Sequence, residues 1–541
     1  MNIDILDGLT SLVAKNLVRK VDLPSGITKL AMLETIREYA CERLDENTDF
    51  SQAAHLAHAR YFANFSQYQW EHPVGDGREA VIERLEDDIE NLQIAWGFWV
   101  GQGNLEQLRK LSDSLWLIYD ARGWYHATVE LSNDLLKVLS SAPSTPEILW
   151  EKILLQTSLA RALMAVKGYT PEVETAYNHA LQMAQSSDQG TQLFPVLRAL
   201  YSFYTFRGEF DKGLAIGRQI LELAERNNDS YMRVTGYFVL GSSLAFTGDN
   251  LSGLENLDKG ISTIDRHWHP SRRFMLGNYP GVSCYTASSL LLWGLGYPEK
   301  AIRRANASVD LAKEINHPYS LAYALFHNGY LRYWMRDVAL SLEYAQAVLE
   351  VAEKHQFQIW SAVGNCLQGS ALAGIGRAEE GMAIIQHGMD LYQGLKSPPI
   401  FWPILRSLQA KVCGQAGKPE LGLTYIEEPI AIPTHGYGKV LLTEFYQIKG
   451  NLLLIRSPGK PSDAEPWFQR ALETAREQGA SMLELRAAIS LARVWRDMGK
   501  ATQGHQLLNE TYQKLTEGFS TVDLKEAQSL LEEMSETRPD S

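Results

Sequence analysis

From Phe194 to near the C-terminus, apolar residues recur three and four positions apart in runs of several helical turns, interrupted by short polar breaks. The breaks fall at Gly208-Glu209, Gly248-Asp249, Gly296-Tyr297, Arg336-Asp337, Gly376-Arg377, Gly417-Lys418 and Gly499-Lys500, at spacings of 40, 48, 40, 40, 41 and 82 residues. The last spacing is twice 41, so one helix-turn-helix unit of about 40 residues repeats through the chain, and such a period predicts a helical solenoid. Seven positions before each break stand Tyr201, Gly241, Ser289, Gly329, Gly369, Ala410 and Ala492; five positions after it stand Gly213, Gly253, Ala301, Ser341, Gly381, Gly422 and Gly504. Glycine inside a helix costs about 1 kcal/mol relative to alanine, so its recurrence needs a packing reason. Two antiparallel helices that cross closely demand small residues on both partners. In the unit hidden inside the 82-residue gap, Gly450 and Ala464 are expected in those roles, with Ser457-Pro458-Gly459-Lys460-Pro461 as its turn.

The first 50 residues follow another pattern. Ile5, Leu9, Leu12 and Val13 share one helical face; two strand-like runs, Leu17–Val21 and Ile27–Met32, flank the turn-rich Asp22-Leu23-Pro24-Ser25-Gly26; a second helix carries Leu33, Ile36, Ala40 and Leu44. Helix, hairpin and helix make a partial winged-helix element, short of the opening helix. At the other end, a solvating helix is expected to turn Leu524, Ala527, Leu531 and Met534 toward the last hairpin.

Small residues at positions 8 and 20 around a turn resemble the tetratricopeptide repeat, in a unit longer than the usual 34 residues. The N-terminal element, the stretches His58–Phe62 and Leu85–Trp96, and the closing segments Gly479–Arg493 and Glu517–Ala527 look like the winged-helix end, helical arm and final repeats of STAND-class signal-transduction ATPases, bacterial relatives of the NB-ARC regulators. The resemblance implies an all-α chain in three parts: a partial winged-helix element at 1–50, a helical arm at 51–140, and a tetratricopeptide-like superhelix at 141–541 with a C-terminal capping helix. It also implies a non-catalytic sensor or scaffold region of a bacterial signal-transduction or transcription regulator, without the ATPase and effector domains. Such a region binds a protein segment or small effector on its concave face and works with a nucleotide-binding ATPase module. Two alternatives stay open: an enzyme whose site is assembled only in three dimensions, and a free-standing adaptor for a separate ATPase chain.

In tetratricopeptide units, positions 2, 5, 9, 12 and 13 of the first helix line the concave face. Around the Arg336 break these are Tyr323, Phe326, Tyr330, Tyr333 and Trp334; the two preceding units add Trp293, and Phe238 with Phe246. These eight rings are the candidate ligand-binding residues. They either line a groove, where rigid rings bury large area at small entropic cost, or pack against the next unit of a tightly wound superhelix.

Composition narrows the chemistry. Lys+Arg 51 against Asp+Glu 64 leaves a net charge of −13 with no basic cluster, which removes the main driving force for binding a phosphate backbone, so no direct nucleic-acid contact is expected. Four scattered cysteines without a C-x-x-C fit a reducing compartment. No basic region followed by an apolar run opens the chain and no stretch nears about 18 apolar residues, so a cytoplasmic protein without membrane contact is expected. No G-x-x-x-x-G-K-[ST] phosphate loop occurs; Gly459-Lys460-Pro461-Ser462 and Gly374-Ile375-Gly376 read as repeat turns. His55 and His58 could share a helix face but lack a third ligand nearby, and His267-Trp268-His269-Pro270 reads as a surface insertion or a ligand-contacting loop. No catalytic residue, metal site or cofactor is expected.

Overall fold

The computed structural model describes residues 5–22, 28–72, 82, 84–122, 124–168, 170–185, 192–264, 278–395, 401–431 and 438–536. The hairpin turn at 23–27 and the His267–Arg273 insertion lie outside them. The chain divides into two compact units, Met1–Leu163 and Met164–Ser541.

The first unit opens with α1 (Ile5–Ala14), strands β1 (Arg19–Asp22) and β2 (Thr28–Ala31), and α2 (Glu34–Asp45). The strands are antiparallel, with Arg19 opposite Ala31 and Asp22 opposite Thr28, so helix, hairpin and helix follow as the sequence pattern predicts. Then come α3 (Thr48–Glu71), α4 (Ile89–Gln102), α5 (Leu105–Arg122), α6 (Tyr125–Ser140) and α7 (Pro146–Lys167). Leu92, Trp96 and Trp99 of α4 pack on Ala59 and Ala63 of α3 and on the leucines of α5 and α6. Both indoles are satisfied: Trp99 donates to the Ala59 carbonyl at 3.1 Å and Trp96 to Asp134 at 3.2 Å. His58 lies 3.3 Å from Asn91 and His55 lies 3.9 Å from Asp45, so the two imidazoles serve different partners.

The second unit is the repeat superhelix. Its helices are α8 (Pro171–Gln185), α9 (Leu193–Phe206), α10 (Phe210–Asn227), α11 (Ser230–Thr247), α12 (Asn250–Ser262), α13 (Pro280–Gly294), α14 (Pro298–Glu314), α15 (Pro318–Trp334), α16 (Val338–Lys354), α17 (Gln358–Gly374), α18 (Ala378–Gly394), α19 (Trp402–Gln415), α20 (Pro419–Ala431), α21 (Leu442–Arg456), α22 (Glu465–Glu477), α23 (Ser481–Asp497), α24 (Ala501–Tyr512) and α25 (Val522–Glu536). All seven breaks read from the sequence adopt the left-handed conformation that ends a helix: φ is 72°, 97°, 96°, 92°, 70° and 77° at the six glycines and 63° at Arg336. After two of these breaks the side chains of Asp249 and Asp337 cap the next helix by accepting from its free N–H groups, as Asp229 and His317 do after the left-handed Asn228 and Asn316 between units.

At the hairpin crossings the backbones touch. A Cβ on Gly253 would stand 2.9 Å from the Gly241 carbonyl, one on Gly422 2.8 Å from that of Ala410, and one on Gly381 would overlap the Gly369 carbonyl. In the hidden unit a Cβ on Gly450 would stand 2.5 Å from the Phe468 ring, one helical turn beyond the fully buried Ala464, just as a Cβ on Gly241 would meet Leu257 one turn beyond Gly253. A 3-10 turn at Pro461–Asp463 precedes the second helix of this unit. In α25 the buried apolar residues are Leu524, Ala527, Leu530 and Met534, with Leu530 in the place expected of Leu531, and Asp523 is buried beside them.

Consecutive first helices, α11, α13, α15, α17, α19, α21 and α23, pack on one another and form the inner layer, and each second helix lies outside between its neighbours. The layer curves until α23 meets α13 and the turn at Gly438–Leu441 meets α11. Asn250 accordingly donates to the Gln478 carbonyl at 2.9 Å, across 228 residues of sequence.

The crossings set a sign that can be measured. Gly381→Ala should destabilise by about 1–3 kcal/mol through overpacking, although alanine favours helix by about 1 kcal/mol. Gly394→Ala, in the same helix with nothing within 4 Å of the added methyl, should leave stability unchanged or raised. Urea unfolding that finds Gly381→Ala at least as stable as the parent would contradict the close crossing.

Candidate functional site

The eight candidate rings sit on α11, α13 and α15, and the structure distributes them unequally. Phe238 and Phe246 are half-buried; Phe238 meets Tyr201 edge-on at 6.1 Å, and Phe246 stacks on Phe210 of α10 at 5.1 Å. Tyr323 is half-buried beside His327, their centroids 4.2 Å apart. Phe326, Tyr330, Tyr333, Trp334 and Trp293 are buried. Phe326 meets Phe401 edge-on at 5.3 Å, Tyr330 lies 4.9 Å from Trp334, and Trp334 lies 4.9 Å from Trp293.

Burial follows from what α17 places between α15 and α19. Its inward residues Cys366, Ser370 and Ala373 are small and buried, while Trp360 near its start is buried against Tyr323, Phe326 and Phe401. Phe326 thus meets Phe401 with Trp360 beside both, and farther along, over the small residues, Tyr330 lies against Ser407 and Tyr333 under the Lys411 ammonium. Burial raises the Tyr330 hydroxyl well above its ordinary pKa, with Glu444 adding to the shift.

Beyond α19 the same wall turns from aromatic to charged. The Lys411 ammonium stands 4.7 Å above the Tyr333 ring and 3.3 Å from buried Glu444. Burial works to lower the Lys411 pKa, but Tyr333 and Glu444 outweigh it and hold it above its usual value. Arg486 of α23 pairs with Asp523 at 2.8 Å, donates to the Trp334 carbonyl, and lies 4.7 Å over the Trp293 ring. These charged residues were absent from the sequence candidates, yet the counting rule reaches them: Lys411 is position 9, and Glu444 and Arg486 are position 2, of their units.

Two histidines of α15 and its cap are held neutral. His317 accepts from the Ser320 N–H at 3.2 Å through Nδ1 and so caps α15; burial, then the nearby Arg198, pushes its pKa down to about 4. His327 Nδ1 donates to the Tyr323 carbonyl at 2.8 Å, and burial lowers its pKa to about 4 against that bond.

Among the described residues no group of three or more His, Cys, Asp or Glu side chains is arranged to hold a metal ion, and no helix is long and apolar enough to cross a membrane.

No family model matches the chain. Proteins named as HTH-type transcriptional regulators from Mycobacterium bovis and Mycobacterium tuberculosis are 27% identical over 201 residues. That stretch is 36% of this chain and 22% of theirs, so the chain matches about a fifth of the length of these relatives. Similar solved structures include a Rap protein complexed with Competence and Sporulation Factor, at 11% identity and TM-score 0.42 over 77% of this chain and 99% of that one. They also include a Signal Transduction ATPase with Numerous Domains protein with a tetratricopeptide repeat sensor from Pyrococcus horikoshii, at 15% identity and TM-score 0.35 over 73% and 55%.

The two neutral imidazoles make stability depend on pH. Unfolded, they protonate near pH 6.5; folded, only near pH 4. Between those values the unfolded chain binds more protons, so stability should fall as pH drops from about 6.5 to about 4. His317→Asn keeps a side-chain cap for α15 and removes one of the two groups, so its urea midpoint should decline less over that window. An unchanged pH slope would show that the His317 imidazole titrates alike in both states.

Proposed function

We propose that the chain is the sensor and scaffold region of a bacterial signal-transduction or transcription regulator, non-catalytic in itself, whose inner wall takes a protein segment or small effector. The observation that carries this reading is the aromatic row of α15. Five rings stand at the five inward positions of one helix, where consecutive first helices converge, whereas the corresponding positions of α17 are Val363, Cys366, Ser370, Ala373 and Gly374. That contrast between neighbouring first helices supports a role for the rings beyond filling the repeat. Rings with hydroxyl and indole groups bury large area while keeping hydrogen-bonding capacity, as peptide recognition requires.

The mycobacterial relatives named as transcriptional regulators support the regulatory setting. In an intact regulator of this kind, ligand affinity that differs between two states of the sensor biases the output by that difference. The helix, hairpin and helix that open the first unit would engage a nucleotide-binding ATPase module, in the same chain or another.

The half-buried rings give the cleanest test, since their removal disturbs the core least. Peptides enriched on the purified protein from a random display library should lose at least tenfold in affinity, about 1.4 kcal/mol, when Phe238 or Tyr323 is replaced by alanine. Circular dichroism and urea midpoint would establish that the variants stay folded. Binding indifferent to both substitutions would place recognition elsewhere.

A further inference from the structure

Six of the seven left-handed breaks are glycine and the seventh is Arg336. An arginine at φ 63° carries backbone strain that glycine avoids, so its side chain should have a use that offsets the strain. Its guanidinium reaches Glu526 of α25 and stands 3.5 Å from Asp523. Arg493 holds the other oxygen of Glu526 at 2.6 Å, and Arg486 grips Asp523 at 2.8 Å and 3.0 Å. Three guanidiniums, drawn from a break 150 residues upstream and from α23, thus face two carboxylates three residues apart on one helix.

The approach to α25 is tailored as well. Glu517 accepts from the first N–H groups of α14, those of Glu299 at 2.9 Å and Lys300 at 3.3 Å. Gly518 adopts φ 81° against Pro298, where a Cβ would overlap the proline ring. The approach segment is seated on the start of α14 by charge and close fit, while α25 itself also buries Leu524, Ala527, Leu530 and Met534 against α23 and α24.

We propose that the Arg336, Arg486 and Arg493 cluster, beside the indoles of Trp293 and Trp334, is a docking surface for an acidic helical segment of a partner protein, and that α25 occupies it in this structure as an internal competitor. The charge balance argues for that chemistry. If α25 moved away, three guanidiniums would lose both carboxylates, and an acidic segment with carboxylates at a similar spacing would restore charge-assisted pairing there. The opened surface would present Trp334 and Trp293, so the proposal rests on the sensor reading and specifies its partner.

The probe is a synthetic peptide spanning residues 520–536, with capped ends, beside a control peptide carrying Asn and Gln at the positions of Asp523 and Glu526. The full chain with Glu526→Gln, which weakens self-occupancy, should bind the acidic peptide at least tenfold tighter than the parent chain does, with affinity falling as salt rises, and should not bind the control. Arg336→Gly, which restores the residue of the other six breaks and should fold at least as well, should lower affinity for the acidic peptide about tenfold in the Glu526→Gln background. Equal binding to parent and Glu526→Gln chains, equal binding of both peptides, or indifference to Arg336→Gly would each overturn the proposal. An uncharged library peptide that binds the parent chain through Phe238 and Tyr323 would leave the sensor reading standing and remove this one.

Discussion

The contact on which the second unit depends is the near touching of two helix backbones at crossings such as Gly241/Gly253, Gly369/Gly381 and Ala410/Gly422. At the Gly369/Gly381 crossing each glycine fills the space that the other's Cβ would need. Such an approach locks hairpin geometry because any displacement must move backbone, not a side chain that could change rotamer. With each hairpin rigid, the angle between successive hairpins is repeated along the chain and summed, as in other quasi-one-dimensional folds. The inner layer then curves until α23 touches α13.

Curvature changes what the inner side chains must do. In an open superhelix, the α15 rings would face solvent; here they pack against Trp360 of α17 and against α19, and the charged half of the wall is brought over Trp293 and Trp334. Charges drawn into such a space have to be paired, because desolvation removes much of what a surface ion pair would gain. Every one of the inner charges Lys411, Glu444, Arg486 and Asp523 has an opposite partner within 3.3 Å. Pairs of this kind add little net stability but discriminate strongly against wrong arrangements, so the polar seam specifies how the turns meet while apolar packing supplies most of the cohesion.

Much of the fold could be read from residues alone, because its determinants are local. A left-handed break, a cap and two small residues at fixed offsets are all written within one unit, and each of the seven breaks has the expected conformation. The misplacement in α25 is local too: Leu530 is buried in the place expected of Leu531, because one residue decides which side of a helix faces inward. The inner wall was legible as a set of positions but not as an environment. Whether Tyr330 meets water or Ser407 depends on a rotation accumulated over two repeats, and nothing near Tyr330 in sequence encodes it. The pairing of Arg336 with Glu526, 190 residues apart, is beyond any local pattern.

A repeat protein therefore divides its sequence between two kinds of instruction. Residues that obey the repeat, such as Gly253, Gly381 and Gly422, explain why each hairpin exists and are interchangeable in role from one unit to the next. Residues that break it have to be explained one by one: Arg336 where its counterparts are glycine, five rings on α15 where α17 carries small residues, and Lys411 and Arg486 at inward positions that are aromatic on α15. Local rules are expected to fail at sites that serve something other than the fold. In this chain the exceptions are not scattered. They converge on the region where α13, α15, α19, α23 and α25 approach one another, although they come from units spread over some two hundred residues. Independent drift of surface residues would not place opposite charges and stacked indoles within contact distance across that span. Their convergence is the physical basis for proposing this region of the inner layer, and not the repeat pattern as such, as the recognition site.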